Sequence, residues 1–178
     1  MTRVLLLTGA PGVGKTIVIT KTVDALKAKG ISVGGMISRE VREAGVRVGF
    51  EILDLCSGKR GWLAQVNVLS GPQIGKYHVN LADLDNIGTT AITQALEKCN
   101  AIAIDEIGPM ELFSQKFKQA VAQALESKKL VLTVVHGKAK DTLVTQVKRR
   151  VDAEIFNVTF SNREKLPEQL IQKALNAL

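Results

Sequence analysis

Aromatic side chains are scarce in this chain of 178 residues: they make up 4%, with one Trp, one Tyr and five Phe. A platform on which single-stranded bases stack in succession needs several aromatics along one strand, so the composition does not support one. Cysteine is almost missing. Cys56 and Cys99 stand far apart without metal-ligand spacing, which leaves a reduced cytoplasmic interior as the default. Both are expected as small core residues. No apolar run approaches the roughly 20 residues of a membrane helix, and no repeat, linker or low-complexity tract interrupts the chain. The opening "MTRVLLLTG" is too short for a signal peptide and reads as a buried strand. What is present, 46% hydrophobic and 23% charged residues, suits one soluble globular domain with one sizeable core.

Acidic residues are in the minority, 17 against 24 Lys and Arg, for a net charge of +7. Such a balance suits a polyanionic partner, either nucleic acid or a small nucleotide. The densest basic run is Lys148, Arg149 and Arg150 in "TQVKRRVDAE"; cations are favoured at helix carboxyl ends, and a solvated helix end explains it. With no groove-reading helix or RNA module in view, a nucleic-acid partner is unsupported.

Strands and helices alternate. "RVLLLT" at 3–8 reads as a parallel strand buried on both faces, followed by a helix over 15–29 closed by Gly30. A strand over 31–37 leads into a Gly-punctuated block, about 38–80, with strand-like segments at 46–55, 62–66 and 76–80. That block reads as hairpins inserted into an α/β plan. Helices are expected over 89–98, 113–126 (with Phe113 on the apolar side), 140–150 and from Pro167 to Asn176. Buried strands are expected at 101–105, 130–135 and 154–159, and "SNRE" has the form of a capping box. The pattern predicts a single α/β domain, with a mostly parallel sheet covered by helices on both faces and an inserted β-rich hairpin region.

Gly9-Ala10-Pro11-Gly12-Val13-Gly14-Lys15-Thr16 matches G-x-x-x-x-G-K-[ST] without a mismatch, between a strand and a helix. The glycines let amide N–H groups turn inward around phosphate oxygens, and the helix start adds its dipole. Lys15 is expected on the outer phosphates and Thr16 on Mg²⁺. In "AIAIDEIGPMEL" four apolar residues precede Asp105; a carboxylate at a strand end there can hold Mg²⁺ through water. Glu106 is placed to orient and deprotonate a water attacking the γ-phosphate. Glu111 has a weaker claim, a helix-start glutamate being the simpler reading. In folds where one strand separates the metal-binding strand from the phosphate-loop strand, that middle strand often ends in a polar residue sensing the γ-phosphate. In "LVLTVVH" Thr133 or His136 could do this, a surface His at the strand end being the competing reading. Among Arg39, Arg42, Arg47 and Arg60, Arg60 in "SGKRGWL" is favoured as a lid residue acting on the transferred phosphoryl group. The neighbouring Trp62 reads as a buried lid anchor.

"TGAPGVGKT", "EVREAGVRVGFEILDL", "SGKRGWLA", "AIDEIGPMEL" and "FNVTFSNREKLP" occur in that order from Val4 to Pro167. Together they resemble the small P-loop nucleoside-triphosphatases first known from thermophiles, related to the cancer-related nucleoside-triphosphatase. The resemblance implies a RecA-like sheet, a cytoplasmic location and Mg²⁺-dependent hydrolysis of several nucleoside triphosphates. By motif it assigns phosphate binding to Gly9 through Thr16, metal binding to Thr16 and Asp105, and water activation to Glu106. Asn162 and Arg163, after the last strand, would contact the base. Ile17 departs from the usual second Thr or Ser, with little consequence expected. The chain is expected to act as a monomer. Two other readings stay open: a nucleotide or small-molecule kinase with Ser38 to Asn80 as acceptor lid, and a nucleotide-gated nucleic-acid binder.

Overall fold

The continuous apolar runs are explained by how their side chains divide between two cores in the computed structural model, which describes residues 1–178. In β1 (Val4–Thr8), Val4 and Leu6 enter one core and Leu5 and Leu7 the other. Likewise in β7 (Ala101–Ile107), Ile102 and Ile104 oppose Ala101 and Ala103. β8 (Leu130–Val135) sends Val131 and Val135 one way and Leu130, Leu132 and Val134 the other. Side chains alternate along a strand, so a sheet covered twice must be apolar at every position.

Helices α1 (Lys15–Ala28) and α6 (Leu166–Ala177) close one face through Val18, Ile19, Leu26 and Leu170. The other face is closed by α3 (Thr90–Lys98), α4 (Gln115–Glu126) and α5 (Thr142–Lys148), through Ile92, Phe117, Val121 and Val144. The remaining strands are β2 (Val33–Glu43), β3 (Val46–Asp54), β4 (Arg60–Gln65), β5 (Gln73–Ile74), β6 (Tyr77–Val79) and β9 (Ala153–Asn157). All nine form one sheet in the order β5-β6-β4-β3-β2-β7-β8-β1-β9. From β2 to β9 the pairings are parallel, and from β2 outward through the insertion they are antiparallel. β8 lies between β1 and β7, and no helix is long and apolar enough to cross a membrane.

Five sequence readings need correction. β2 does not stop at 37 but runs to Glu43, because β3 pairs along its outer half, with a register shift between Val41 and Arg42. The helix expected from Thr89 begins earlier: α2 (Leu81–Asp83) continues through a π-helical turn, Leu84–Thr89, into α3. Gly88 is needed there for closeness, since a Cβ on it would come within 2.9 Å of Met36 Sδ. Phe113 precedes α4 and is 43% exposed; Ser114 caps the helix by accepting from the Phe117 amide. "SNRE" forms no capping box, because Ser161 pairs with the Thr159 hydroxyl and α6 starts only at Leu166. Cys99 is buried as expected, but Cys56 is exposed, and their sulfurs approach to 3.5 Å.

Candidate active site

The phosphate loop is shaped by two glycines that no other residue could replace without strain. Gly14 starts α1 with φ of 105°, in the left-handed region. Gly9 has φ of 152°, and a Cβ there would lie 2.6 Å from the Val158 carbonyl oxygen, just beyond β9. The Val158 amide donates to Thr8 O at 2.7 Å, tying the loop's entrance to the segment after β9. Lys15 reaches back across the loop, its ammonium donating to Gly9 O at 2.9 Å and Ala10 O at 3.0 Å.

This loop forms one side of a cleft of about 1050 Å³ at the carboxyl ends of the parallel strands, where ligands of open α/β sheets bind. Asp105 and Glu106 reach it from the end of β7, where the register with β8 shifts. Asp105 is 1% exposed, and its Oδ2 has no hydrogen-bond partner. Burial raises its pKa to about 7, assisted by the Glu106 charge and opposed by a hydrogen bond from Thr16 and by the charge of Lys15. Burial likewise raises the Glu106 carboxyl above its usual range, against the pull of Lys15 and His136. An orphaned oxygen on a buried aspartate, with Thr16 lining the same cleft, is a donor pair fit for a hard divalent cation.

Glu111 belongs to the site more firmly than its sequence position suggests. It is 4% exposed and lines the cleft. A Cβ on Gly108 would fall 2.5 Å from Glu106 Oε1 and 3.1 Å from Glu111 Oε2, so both carboxylates crowd the same bare glycine. Burial, then the Glu106 charge, pushes the Glu111 carboxyl well above the usual range. A carboxyl pKa raised by folding costs no stability below the unfolded value. The cost grows as pH rises from that value toward the folded one. Glu111→Gln is therefore expected to raise Tm by a few degrees at pH 8 and leave it unchanged near pH 4. Equal shifts at both pH values in thermal melts would contradict this.

The structure separates the remaining sequence candidates. His136 lines the cleft, whereas Thr133 is fully buried and donates to Ile104 O at 3.1 Å. Ile17 lies on the cleft rim and is 53% exposed. Arg60 is not brought to the site. It faces Leu53 in register, and Glu51 Oε1 captures it at 2.6 Å, away from the cleft. Arg39, Arg42 and Arg47 line the cleft instead. Trp62 is half-buried outside it, its amide donating to Asp83 Oδ2 at 2.7 Å. The basic run after β8 is a helix end, with Lys148 donating to Gly137 O and Arg150 paired with Asp152 and Glu126.

Beyond β9, the Asn162 amide is consumed by its own turn, accepting from the Thr159 amide and donating to Asn157 O, both at 2.8 Å. Arg163 lies against the phosphate loop: its Nη1 donates to Val13 O at 3.4 Å, and its Cδ would be 3.4 Å from a Cβ on Gly14. Its guanidinium sits 5.2 Å from the centroid of Phe160, which is 72% exposed. Phe160 is the residue that the sequence reading missed here. Its only signal was an aromatic in a polar turn, in a chain with few aromatics to spare.

A family model described as NTPase matches residues 4–171. The chain belongs to the NTPase family. Among relatives of this family member, nucleoside-triphosphatase THEP1 of Methanosarcina acetivorans is 46% identical over 173 residues, covering 97% of each chain. The THEP1 of Thermofilum pendens is 44% identical over 169 residues, covering 94% of this chain and 93% of the relative. The solution structure of a human cancer-related nucleoside triphosphatase superposes with a TM-score of 0.85 at 36% identity, over 99% of this chain and 100% of the other. The crystal structure of THEP1 from Aquifex aeolicus gives 0.84 at 28% identity, over 96% and 98%.

Proposed function

We propose that this family member hydrolyses nucleoside triphosphates to diphosphate and phosphate in a Mg²⁺-dependent reaction. The observation that carries the reading is Glu106, a carboxylate with raised proton affinity at the end of β7, in the same cleft as Lys15 and the phosphate loop. The loop amides and Lys15 hold the outer phosphates. Glu106 receives the proton of a water aligned with the γ-phosphorus, and His136 stands beside it. Thr16 and Asp105 would hold Mg²⁺, which when bound neutralises charge on the phosphate oxygens. Without Arg60, the positive charge beside the phosphate loop comes from Lys15 and the helix start, with Arg39, Arg42 and Arg47 on the facing wall of the cleft.

The sheet order supports one direction for the nucleotide. Glu106 lies at the end of β7 and His136 directly after β8, which favours the γ-phosphate on that side of β1 and the base toward β9. Phe160, stacked on Arg163, offers the base a flat face without hydrogen-bond readout. Stacking accepts every base, so turnover of ATP, GTP, CTP and UTP alike is expected. The test is a phosphate-release panel over these four, with Mg²⁺ and with chelator, on wild type and Phe160→Ala. The variant is expected to raise KM about tenfold for all four with kcat little changed. A panel without phosphate release from any triphosphate would overturn the hydrolase reading, and an unchanged KM would remove Phe160 from the base site.

A further inference from the structure

The cleft extends past the γ-phosphate position. Its far wall is built by the β2–β3 hairpin, on the opposite side of β7 from the phosphate loop. Glu40 organises that wall: its Oε2 accepts from Arg42 Nε and Nη2 at 3.1 and 2.9 Å, and its Oε1 from Arg47 Nη1 at 2.8 Å. Arg47 is further fixed by donating to the Tyr77 hydroxyl at 2.8 Å, with its guanidinium 5.1 Å from the Phe50 centroid. Two guanidiniums share one carboxylate, so the cluster keeps an uncompensated positive charge and unused N–H donors. Half-buried Phe50, Ile74 and Met110 supply apolar surface around it. Arg42 Nη1 also donates to Gly45 O at 3.0 Å in the hairpin turn, which holds the part-exposed guanidinium in place while N–H donors of both arginines stay free at the cleft they line.

We propose that this half of the cleft is a second binding subsite, for a phosphate monoester with a flat apolar body, such as a nucleoside monophosphate. The monoester phosphate lies on Arg42 and Arg47, guanidiniums being suited to forked recognition of phosphate oxygens. The body rests against Phe50, Ile74 and Met110. A ligand there abuts the γ-phosphate and stands where the attacking water would approach. The inference rests on the triphosphate placement given above.

The experiment titrates AMP calorimetrically into the full chain saturated with AMP-PNP and Mg²⁺, with inorganic phosphate and adenosine as separate arms. One AMP per chain is expected, bound more tightly than either half alone. Arg42→Ala should weaken AMP at least tenfold, and Glu40→Gln, which frees both guanidiniums, should tighten it. At saturating ATP, AMP should slow phosphate release in wild type and not in Arg42→Ala, whose KM for ATP stays unchanged. The subsite is overturned if AMP does not bind the loaded chain, or binds Arg42→Ala equally well. It is also overturned if Arg42→Ala raises the KM for ATP, since the arginine would then serve the triphosphate. Failure of hydrolysis with AMP still bound to the loaded chain would sink the hydrolase reading alone. Failure of AMP-PNP to bind would sink the triphosphate placement and the subsite with it.

Discussion

Glu106→Gln is expected to lower phosphate release by about 10²- to 10⁴-fold while leaving nucleotide affinity close to wild type. The amide keeps the shape and the hydrogen-bonding reach of the side chain but cannot take a proton. Burial already raises the proton affinity of Glu106, against the opposing charges of Lys15 and His136. That is the setting of a carboxylate used as a base, not of a solvated surface pair. Removing its charge also relieves Glu111, which Glu106 pushes toward the neutral form, so the variant should fold at least as well as wild type. Phosphate release and fluorescent-nucleotide binding, measured on the same preparation, separate the two effects. Turnover within twofold of wild type would remove Glu106 from the water-activating role.

Lys15→Ala should act on the other quantity, weakening triphosphate affinity by roughly 10- to 100-fold, the range for losing one or two charge-assisted hydrogen bonds. Its ammonium reaches the carbonyls of Gly9 and Ala10, so it spans the loop that would surround the phosphates. The substitution leaves no buried donor unpaired and should cost little stability. Diphosphate affinity should suffer less than triphosphate affinity, because the outer phosphates are those Lys15 would serve under the proposed function. Equal losses for mono-, di- and triphosphate in a nucleotide titration would place Lys15 elsewhere.

The phosphate loop, Asp105 and Glu106 were legible because backbone geometry and a strand end fix which residue types can stand there. The two-faced strands were legible for the same reason, through unbroken apolar runs. Arg60 misled because its flanking glycines look like a mobile lid, whereas cross-strand register hands its charge to Glu51. Asn162 misled because an amide in a turn satisfies the turn first. Glu111 was hidden by its spacing: only the path of the chain around Gly108 brings it against Glu106. The Cys56–Cys99 approach joins residues 43 apart through a turn and a helix end, a distance that no local pattern encodes.

The cleft's far wall begins inside the core. β2 is one strand of 11 residues whose inner half pairs with β7 and whose outer half pairs with β3, and Ile52 and Leu63 of the insertion belong to the same apolar cluster as Ile104 of β7. The same strand thus links the inner sheet to the wall that faces the phosphate loop. A ligand entering this cleft therefore meets walls already ordered, and little conformational entropy has to be lost at the moment of binding. Selectivity in such a site comes from its shape and from charge fixed on its walls.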